Sequence, residues 1–361
     1  MVRAKGCYLY DSKGKKYADF ESGDWAAALG HSHKRITKTL KNKCGLFVHD
    51  GLRSRNRESE ILAVELLEIC GFKGGACAFL NSGSEAVNLA IQLARELTGR
   101  KKILKIDNSY LSAYGFGRMT EDNPDLINIK MDDMSAIDDL PFDGIAAFAF
   151  EAGNARGLVR LPSAGFIKRI AENVRTNGGM LLANEVTCGM GRTGEWFGYA
   201  HYDYSPDIIT LGKGLGNGYP VSGIAVSADT LNKFGSRAFR YAQSHQNDPL
   251  GCAVALEVIN TIKQNDFVRA CRETGDYFLE KLMFLQYKFP GKILDVRGRG
   301  LMLAFDTAPE IDADNIYLKM IDRGFLIGCT DNTLRFMPPF IIKRKLIDSL
   351  IKNLTKILEV A

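Results

Sequence analysis

One lysine stands among four glycines in Gly212-Lys213-Gly214-Leu-Gly216-Asn-Gly218, directly after the apolar run Asp207-Ile-Ile-Thr-Leu211. A nucleotide-binding Walker loop needs Ser or Thr immediately after its lysine, and Gly214 stands there, so that loop type is excluded. A lysine on a tight turn behind a buried strand loses hydration, which lowers the pKa of its ammonium and prepares the amine as a nucleophile. That is the chemistry of a Schiff base. A second candidate is Asn81-Ser82-Gly83-Ser84-Glu85-Ala86, at the start of a helix whose inner face carries Ala86, Leu89, Ala90 and Leu93. Small residues there expose unpaired N–H groups at the positive end of the helix dipole, which suits a phosphate. The same residues also read as a capping box, with Ser82 closing on Glu85.

These residues need a scaffold of strands ending in polar or glycine-rich turns. Apolar runs alternate with helical periodicity from about residue 55 to 260, the pattern of an α/β unit with a mostly parallel sheet. Three runs carry the argument: Gly144–Phe150, Met180–Val186 and Asp207–Leu211. In such sheets the ligand lies outside the carboxyl ends of the strands, so the residues just after these runs are the chemical candidates. Pro249–Gln264 reads as a helix. Beyond it, strands at Gly291–Arg297 and Gly300–Phe305 between helices suggest a smaller α+β unit. Its closing helix carries Leu346, Ile347, Leu350, Ile351, Leu354, Ile357 and Leu358 on one face, which reads as docking rather than membrane-surface. The expected division is an N-terminal segment, 1–48, packing with the small domain, a large α/β domain, 49–250, and a C-terminal α+β domain, 251–361.

Composition bounds the function. With 361 residues, 46% hydrophobic and 25% charged, the chain belongs with globular proteins and not with disordered, collagen-like or coiled-coil classes. A net charge of +5 without a long basic block argues against nucleic acid, and no apolar run reaches the roughly 18 residues of a membrane span. Eight cysteines with no CxxC pair and no zinc-type His/Cys spacing read as reduced thiols, so no metal is expected. The start of the chain shows no signal-peptide pattern, and a cytoplasmic location is expected.

The motifs together resemble the class III aminotransferases, the pyridoxal-phosphate family that includes the ornithine, acetylornithine and 4-aminobutyrate enzymes. The resemblance runs from Tyr8-Leu-Tyr-Asp11 and Gly30-His-Ser-His33 through Asn81–Ala86, Gly189-Met-Gly-Arg-Thr-Gly194 and Gly212–Pro220. It closes with Asn247-Asp-Pro-Leu250 and Leu334-Arg335-Phe-Met-Pro-Pro339. It implies the type I fold of pyridoxal-phosphate-dependent transferases, pyridoxal 5'-phosphate as cofactor and Lys213 as its Schiff-base lysine. It further implies that Gly83 and Ser84 hold the phosphate, that Tyr110 stacks on the pyridine ring, and that Asn184 and Thr187 face the cofactor. By the same resemblance Ser244 reaches the phosphate of a neighbouring subunit, which requires a homodimer with a shared site. Arg335 is placed to bind a substrate carboxylate with two parallel hydrogen bonds, a geometry suited to guanidinium. Trp25 falls in the segment that resembles the family's pocket entrance and is a candidate substrate contact.

Three departures from the family pattern matter. The usual Asp-Glu-Val-Gln reads Asn184-Glu-Val-Thr187, so a neutral amide stands where a carboxylate would hold the pyridine nitrogen protonated. The family's Glu-Pro-Ile-Gln-Gly-Glu reads Glu151-Ala-Gly-Asn154-Ala-Arg156. The second glutamate, which in ornithine-type enzymes can pair with the carboxylate-binding arginine, is thus Arg156. Arg335 is accordingly expected to be ungated, with Arg156 adding positive charge, which favours an acidic or α-amino acid substrate over a simple ω-amine. The N-terminal lead is shorter than in the family, and a more open pocket entrance is expected.

The expected activity is transfer of an amino group between an amino acid and a 2-oxo acid, with Lys213 as general acid and base. The alternative is an amino-acid racemase or epimerase on the same fold, because a weaker electron sink at Asn184 suits reprotonation at Cα. A lyase or condensing enzyme is a further reading. A non-enzymatic partner protein with this fold is opposed by the intact Lys213, Gly83 and Arg335.

Overall fold

The computed structural model describes residues 1–51, 54–118, 123–153, 156–235 and 241–360. The chain begins with three short antiparallel strands, β1 (Arg3–Lys5), β2 (Tyr8–Tyr10) and β3 (Lys16–Asp19). A central seven-stranded sheet follows, built from β4 (Ala76–Leu80), β5 (Lys102–Ile106), β6 (Leu126–Ile129), β7 (Ile145–Phe150), β8 (Met180–Asn184), β9 (Ile208–Leu211) and β10 (Ser222–Val226). Its order is β4-β10-β9-β8-β7-β5-β6. Only β10 is reversed, antiparallel to both neighbours, and the expectation of a mostly parallel sheet holds. Every residue of β7, β8 and β9 is buried. Continuous apolar runs such as Ile145-Ala-Ala-Phe-Ala-Phe150 are what a sheet covered on both faces requires.

The helix Gly83–Thr98 covers one face of this sheet, burying Ala86, Val87, Leu89, Ala90, Ile91, Leu93 and Ala94. It ends at Gly99, whose φ of 68° is the left-handed conformation that glycine tolerates without a Cβ clash. The helix Pro249–Gln264 appears where the sequence places it, with proline in its first turn.

A third sheet comprises β11 (Ile293–Arg299), β12 (Met302–Thr307), β14 (Gly328–Thr330) and β15 (Thr333–Phe336), in the order β11-β12-β15-β14 and antiparallel throughout. Here β11 and β12 each begin and end two residues later than the sequence suggests. Lys292 closes a turn by donating its N–H to the Phe289 carbonyl, and Gly300, at φ 53°, makes the hairpin corner. The two-residue β13 (Phe325–Leu326) leaves this region and pairs in parallel with β3, drawing the N-terminal segment onto the C-terminal part of the chain. The closing helix Arg344–Leu358 buries Ile347, Leu350, Leu354, Ile357 and Leu358, the face the sequence assigns to docking. Among the described residues no helix is long and apolar enough to cross a membrane.

The N-terminal segment is also fastened to the lysine turn. Asn217 accepts the Leu29 N–H at 2.7 Å and donates to the Gly30 carbonyl at 3.2 Å. On its other side, Met337 and Phe340 donate backbone N–H groups to the carbonyls of Phe20 and Ala28. Residues 20–30 therefore lie between the Lys213 turn and the end of β15, which brings Arg335 toward the lysine.

Candidate active site

Lys213 follows β9 in a left-handed backbone conformation, φ 41°, that a non-glycine residue adopts only when its surroundings enforce it. Its Nζ donates to the Thr187 hydroxyl at 3.1 Å and lies 4.4 Å from the centre of the Trp25 ring. Burial lowers its ammonium pKa, while the negative charges of Glu151 and Asp24 pull in the opposite direction. The amine opens into a cavity of about 340 Å³ lined by Asp24, Trp25, Tyr110, Asn184, Thr187 and the Ser82–Ser84 segment, among others. The carboxyl ends of β7, β8 and β9 meet here, as the sheet rule requires.

The start of the Gly83–Thr98 helix forms another wall. Ser82 and Glu85 make the full capping box: Glu85 accepts the Ser82 N–H at 2.8 Å, and Ser82 Oγ accepts the Glu85 N–H at 3.2 Å. The cap reading and the anion-site reading coexist, because the cap uses residues 82 and 85 while Gly83 and Ser84 face the cavity. Gly83 is required sterically: a Cβ there would stand 2.6 Å from Val186 Cγ1. A Cβ on Gly212 would stand 3.3 Å from Gly83 Cα, so the lysine turn and the helix start are in contact. Ser84 Oγ accepts the Ala113 N–H at 3.0 Å and ties the helix start to the loop carrying Tyr110.

Tyr110 is 38% exposed and borders the cavity. Its backbone N–H donates to Glu151 at 3.3 Å, and its carbonyl accepts from Asn184 Nδ2 at 3.0 Å. The Asn184 carbonyl oxygen accepts from the Thr210 hydroxyl at 3.2 Å and from the Val186 N–H at 3.4 Å. Asn184 thus lies on the cavity floor with its amide orientation set by neighbours.

Arg335 requires a correction. The sequence suggests an ungated arginine, but Arg335 is already paired: Nε and Nη2 donate to the Glu21 carboxylate at 2.9–3.2 Å, and Nη1 donates to Thr330 Oγ1 at 2.9 Å. The pair is largely shielded from solvent, with side chains 13% and 16% exposed. The acid comes from the N-terminal segment and not from the loop after β7, where the family resemblance places it. Burial pushes the Glu21 carboxyl up to about 7 despite the adjacent guanidinium. Arg156 is exposed and does not line the Lys213 cavity, while Asn154 lies outside the described residues. Trp25 is buried and joins the two centres: its Nε1 donates to Glu21 at 3.2 Å, and its ring centre is 4.9 Å from Arg335 Cζ. Ser244 is exposed and outside this chain's own cavity.

Sequence reasoning missed Glu21 and Asp24. Their only signal is the acid-rich run Asp19-Phe-Glu21-Ser-Gly-Asp24, which follows no helix or strand period. It also gave no role to Glu185, which is fully buried and accepts the N–H groups of Gly198 and Tyr199 at 2.8 and 2.9 Å. Outside the cavity, His49 and His245 both contact Asp248 at 2.6 Å; His245 is its neighbour three residues away, whereas His49 is 199 residues away in sequence.

The family profile described as Aminotransferase class-III matches residues 1–120 and 113–358. An acetylornithine aminotransferase of Aquifex aeolicus is 33% identical over 375 residues, covering 99% of this chain and 96% of the relative. Among solved structures, the acetylornithine aminotransferase of Elizabethkingia anophelis superposes with a TM-score of 0.87 at 26% identity, over 99% of this chain and 93% of that one. The ornithine aminotransferase of Toxoplasma gondii, described with pyridoxal phosphate at its active site, superposes with a TM-score of 0.89 at 25% identity, over 99% and 89%.

Proposed function

The chain belongs to the class III aminotransferase family and carries out pyridoxal-phosphate-dependent transamination on the type I fold; on that premise we propose how its own residues divide the work. The cavity fits the cofactor. It offers an amine at Lys213, a helix start where Gly83 leaves no room for a Cβ, an aromatic ring at Tyr110 and an amide at Asn184. Gly83 and Ser84 would hold the phosphate with backbone N–H groups, Tyr110 would cover the ring, and Asn184 would offer a neutral N–H to the ring nitrogen. When bound, pyridoxal 5'-phosphate supplies the carbonyl that takes up the amino group and the ring that accepts the electron pair released at the substrate carbon.

Lys213 is the acid and base. Burial lowers the pKa of its ammonium, and Nζ would take the proton from the substrate carbon and deliver it to the cofactor carbon that receives the amino group, so that the substrate leaves as an oxo acid. Thr187 holds Nζ between those transfers, and Trp25 screens it from water. The observation that carries this reading is the half-buried Lys213 amine, held by one hydroxyl and open to a cavity of about 340 Å³.

Substrates are an amino acid of the acetylornithine class and a 2-oxo acid, as the names of the relatives suggest. Arg335 takes a carboxylate of one of them once Glu21 is displaced. The relatives carry transaminase names, and the racemase alternative draws no support from them. We further assign residues 1–48, 49–250 and 251–361 as N-terminal segment, large domain and small domain. The protein acts as a cytoplasmic homodimer in which Ser244 reaches the partner's phosphate. The exposed apolar residues Leu46, Phe47, Val48, Tyr114 and Phe116 suit such an interface, and eight unpaired cysteines suit a reducing compartment.

The test is incubation of wild type and Lys213→Ala with amino acids and 2-oxoglutarate in heavy water. Wild type should form glutamate, and the variant should lose that activity by about 100-fold or more. Cα deuteration with inversion and no oxo acid would identify a racemase, and an active variant would remove Lys213 from the reaction.

A further inference from the structure

Arg335 and Lys213 face two neighbouring cavities. The Arg335 cavity, of about 460 Å³, is bordered by Glu21, Gly23 and Asp24, and the Lys213 cavity by Asp24 and Trp25. The segment between them is the turn Ser22–Trp25, in which all four residues have positive φ, from 49° to 69°. Left-handed backbone is disfavoured for any non-glycine residue, because Cβ approaches the following carbonyl oxygen, and three of these four carry a side chain. The turn persists because Asp19 accepts the N–H groups of Glu21 and Gly23 at 2.8 and 2.9 Å and also contacts His31 at 2.6 Å.

Within the Glu21–Arg335 pair, the arginine is the fixed partner. Its guanidinium lies between two glycines, because a Cβ on Gly157 would stand 1.7 Å from Nη1 and one on Gly328 would stand 2.4 Å from Nε. Thr330 anchors its remaining nitrogen. An arriving carboxylate therefore cannot draw Arg335 out and must displace Glu21. Glu21 also accepts the indole N–H of Trp25, whose ring contacts Lys213. Displacing the carboxylate takes away the hydrogen bond that sets the indole over the amine.

We propose that the Ser22–Trp25 turn, with Glu21, is a movable partition between the two cavities, opened when a substrate carboxylate replaces Glu21 on Arg335, and that Trp25 transmits the opening to Lys213. Glu21 and Trp25 are thereby positioning residues, acting on Lys213 through the turn. The inference rests on the reading of Arg335 as the carboxylate-binding residue.

The test uses the holoenzyme with Trp196→Phe, which leaves Trp25 as the sole tryptophan, and glutarate, a dicarboxylate with neither amino nor oxo group. Glutarate should shift Trp25 emission to the red and increase its quenching by acrylamide, since the indole loses Glu21 and meets water. In the same background Glu21→Gln should show the shifted emission before any ligand is added and should bind glutarate at least about 10-fold more tightly, because a charged competitor is gone. Glu21→Asp, which keeps the charge with a shorter reach, should bind with intermediate affinity. Saturating glutarate that leaves Trp25 emission unchanged overturns the partition, and this arm needs no substitution at Glu21. Glutarate affinity unaltered by Glu21→Gln likewise overturns it. Binding that is lost in Arg335→Ala preserves the role given to Arg335 even then, whereas binding that survives Arg335→Ala overturns both readings.

Discussion

Asn184 is held from both ends of its amide, with Nδ2 on the Tyr110 carbonyl and the oxygen on Thr210 and Val186. A carboxylate in its place would face the Tyr110 carbonyl with no hydrogen to share. Asn184→Asp should therefore destabilise the cofactor-free protein by about 1–3 kcal/mol, the usual effect of leaving a buried acceptor opposite an acceptor. Urea unfolding of wild type and variant without cofactor measures this. A variant as stable as wild type would mean that the Asn184–Tyr110 contact contributes nothing to the fold. The neutral residue is thus integrated into its surroundings, and the loop carrying Tyr110 depends on it.

Among the elements, the Gly83–Thr98 helix has two tasks at one end: closing its own cap and offering N–H groups to an anion. The division is possible because the cap uses Ser82 and Glu85, leaving the first turn bare. Gly83→Ala would put a methyl against Val186 and push the helix start away from the lysine turn. Overpacking of this kind costs about 1–3 kcal/mol, so pyridoxal phosphate should bind about 10-fold or more weakly while the helix content stays unchanged. Cofactor titration followed by absorbance, with far-ultraviolet circular dichroism as the control, checks both parts. Unaltered cofactor affinity would show that the phosphate is held elsewhere.

At the scale of the whole molecule, the carboxyl end of the central sheet concentrates buried acids. Burial raises Glu185 from 4.5 to about 7, outweighing the two N–H groups that favour its charged form. An acid with a raised pKa in the folded state binds its proton more tightly there than when unfolded. Its contribution to stability is complete below 4.5 and is lost as pH climbs toward about 7. The melting temperature of wild type should accordingly fall relative to that of Glu185→Gln across this interval, as differential scanning calorimetry at several pH values can show. A gap between the two proteins that does not change with pH would mean that Glu185 titrates normally.

The strands at Gly144–Phe150, Met180–Val186 and Asp207–Leu211 were legible in the sequence because burial on both faces leaves an uninterrupted apolar run. Lys213 was legible because few arrangements place one lysine among so many glycines behind such a strand. The Ser82–Glu85 cap and the docking face of the last helix follow from local spacing in the same way. The partner of Arg335 was not legible, since Glu21 is 314 residues away in sequence and reaches it only because β3 pairs with β13 and residues 20–30 pass between the lysine turn and β15. The same holds for the Trp25 contact with Lys213 and for that of His49 with Asp248. Residue types and spacing determined which groups could react and which local elements carry them. Which charges neutralise one another was decided by tertiary structure, because an ion pair depends on distance and burial, and the chain order records neither.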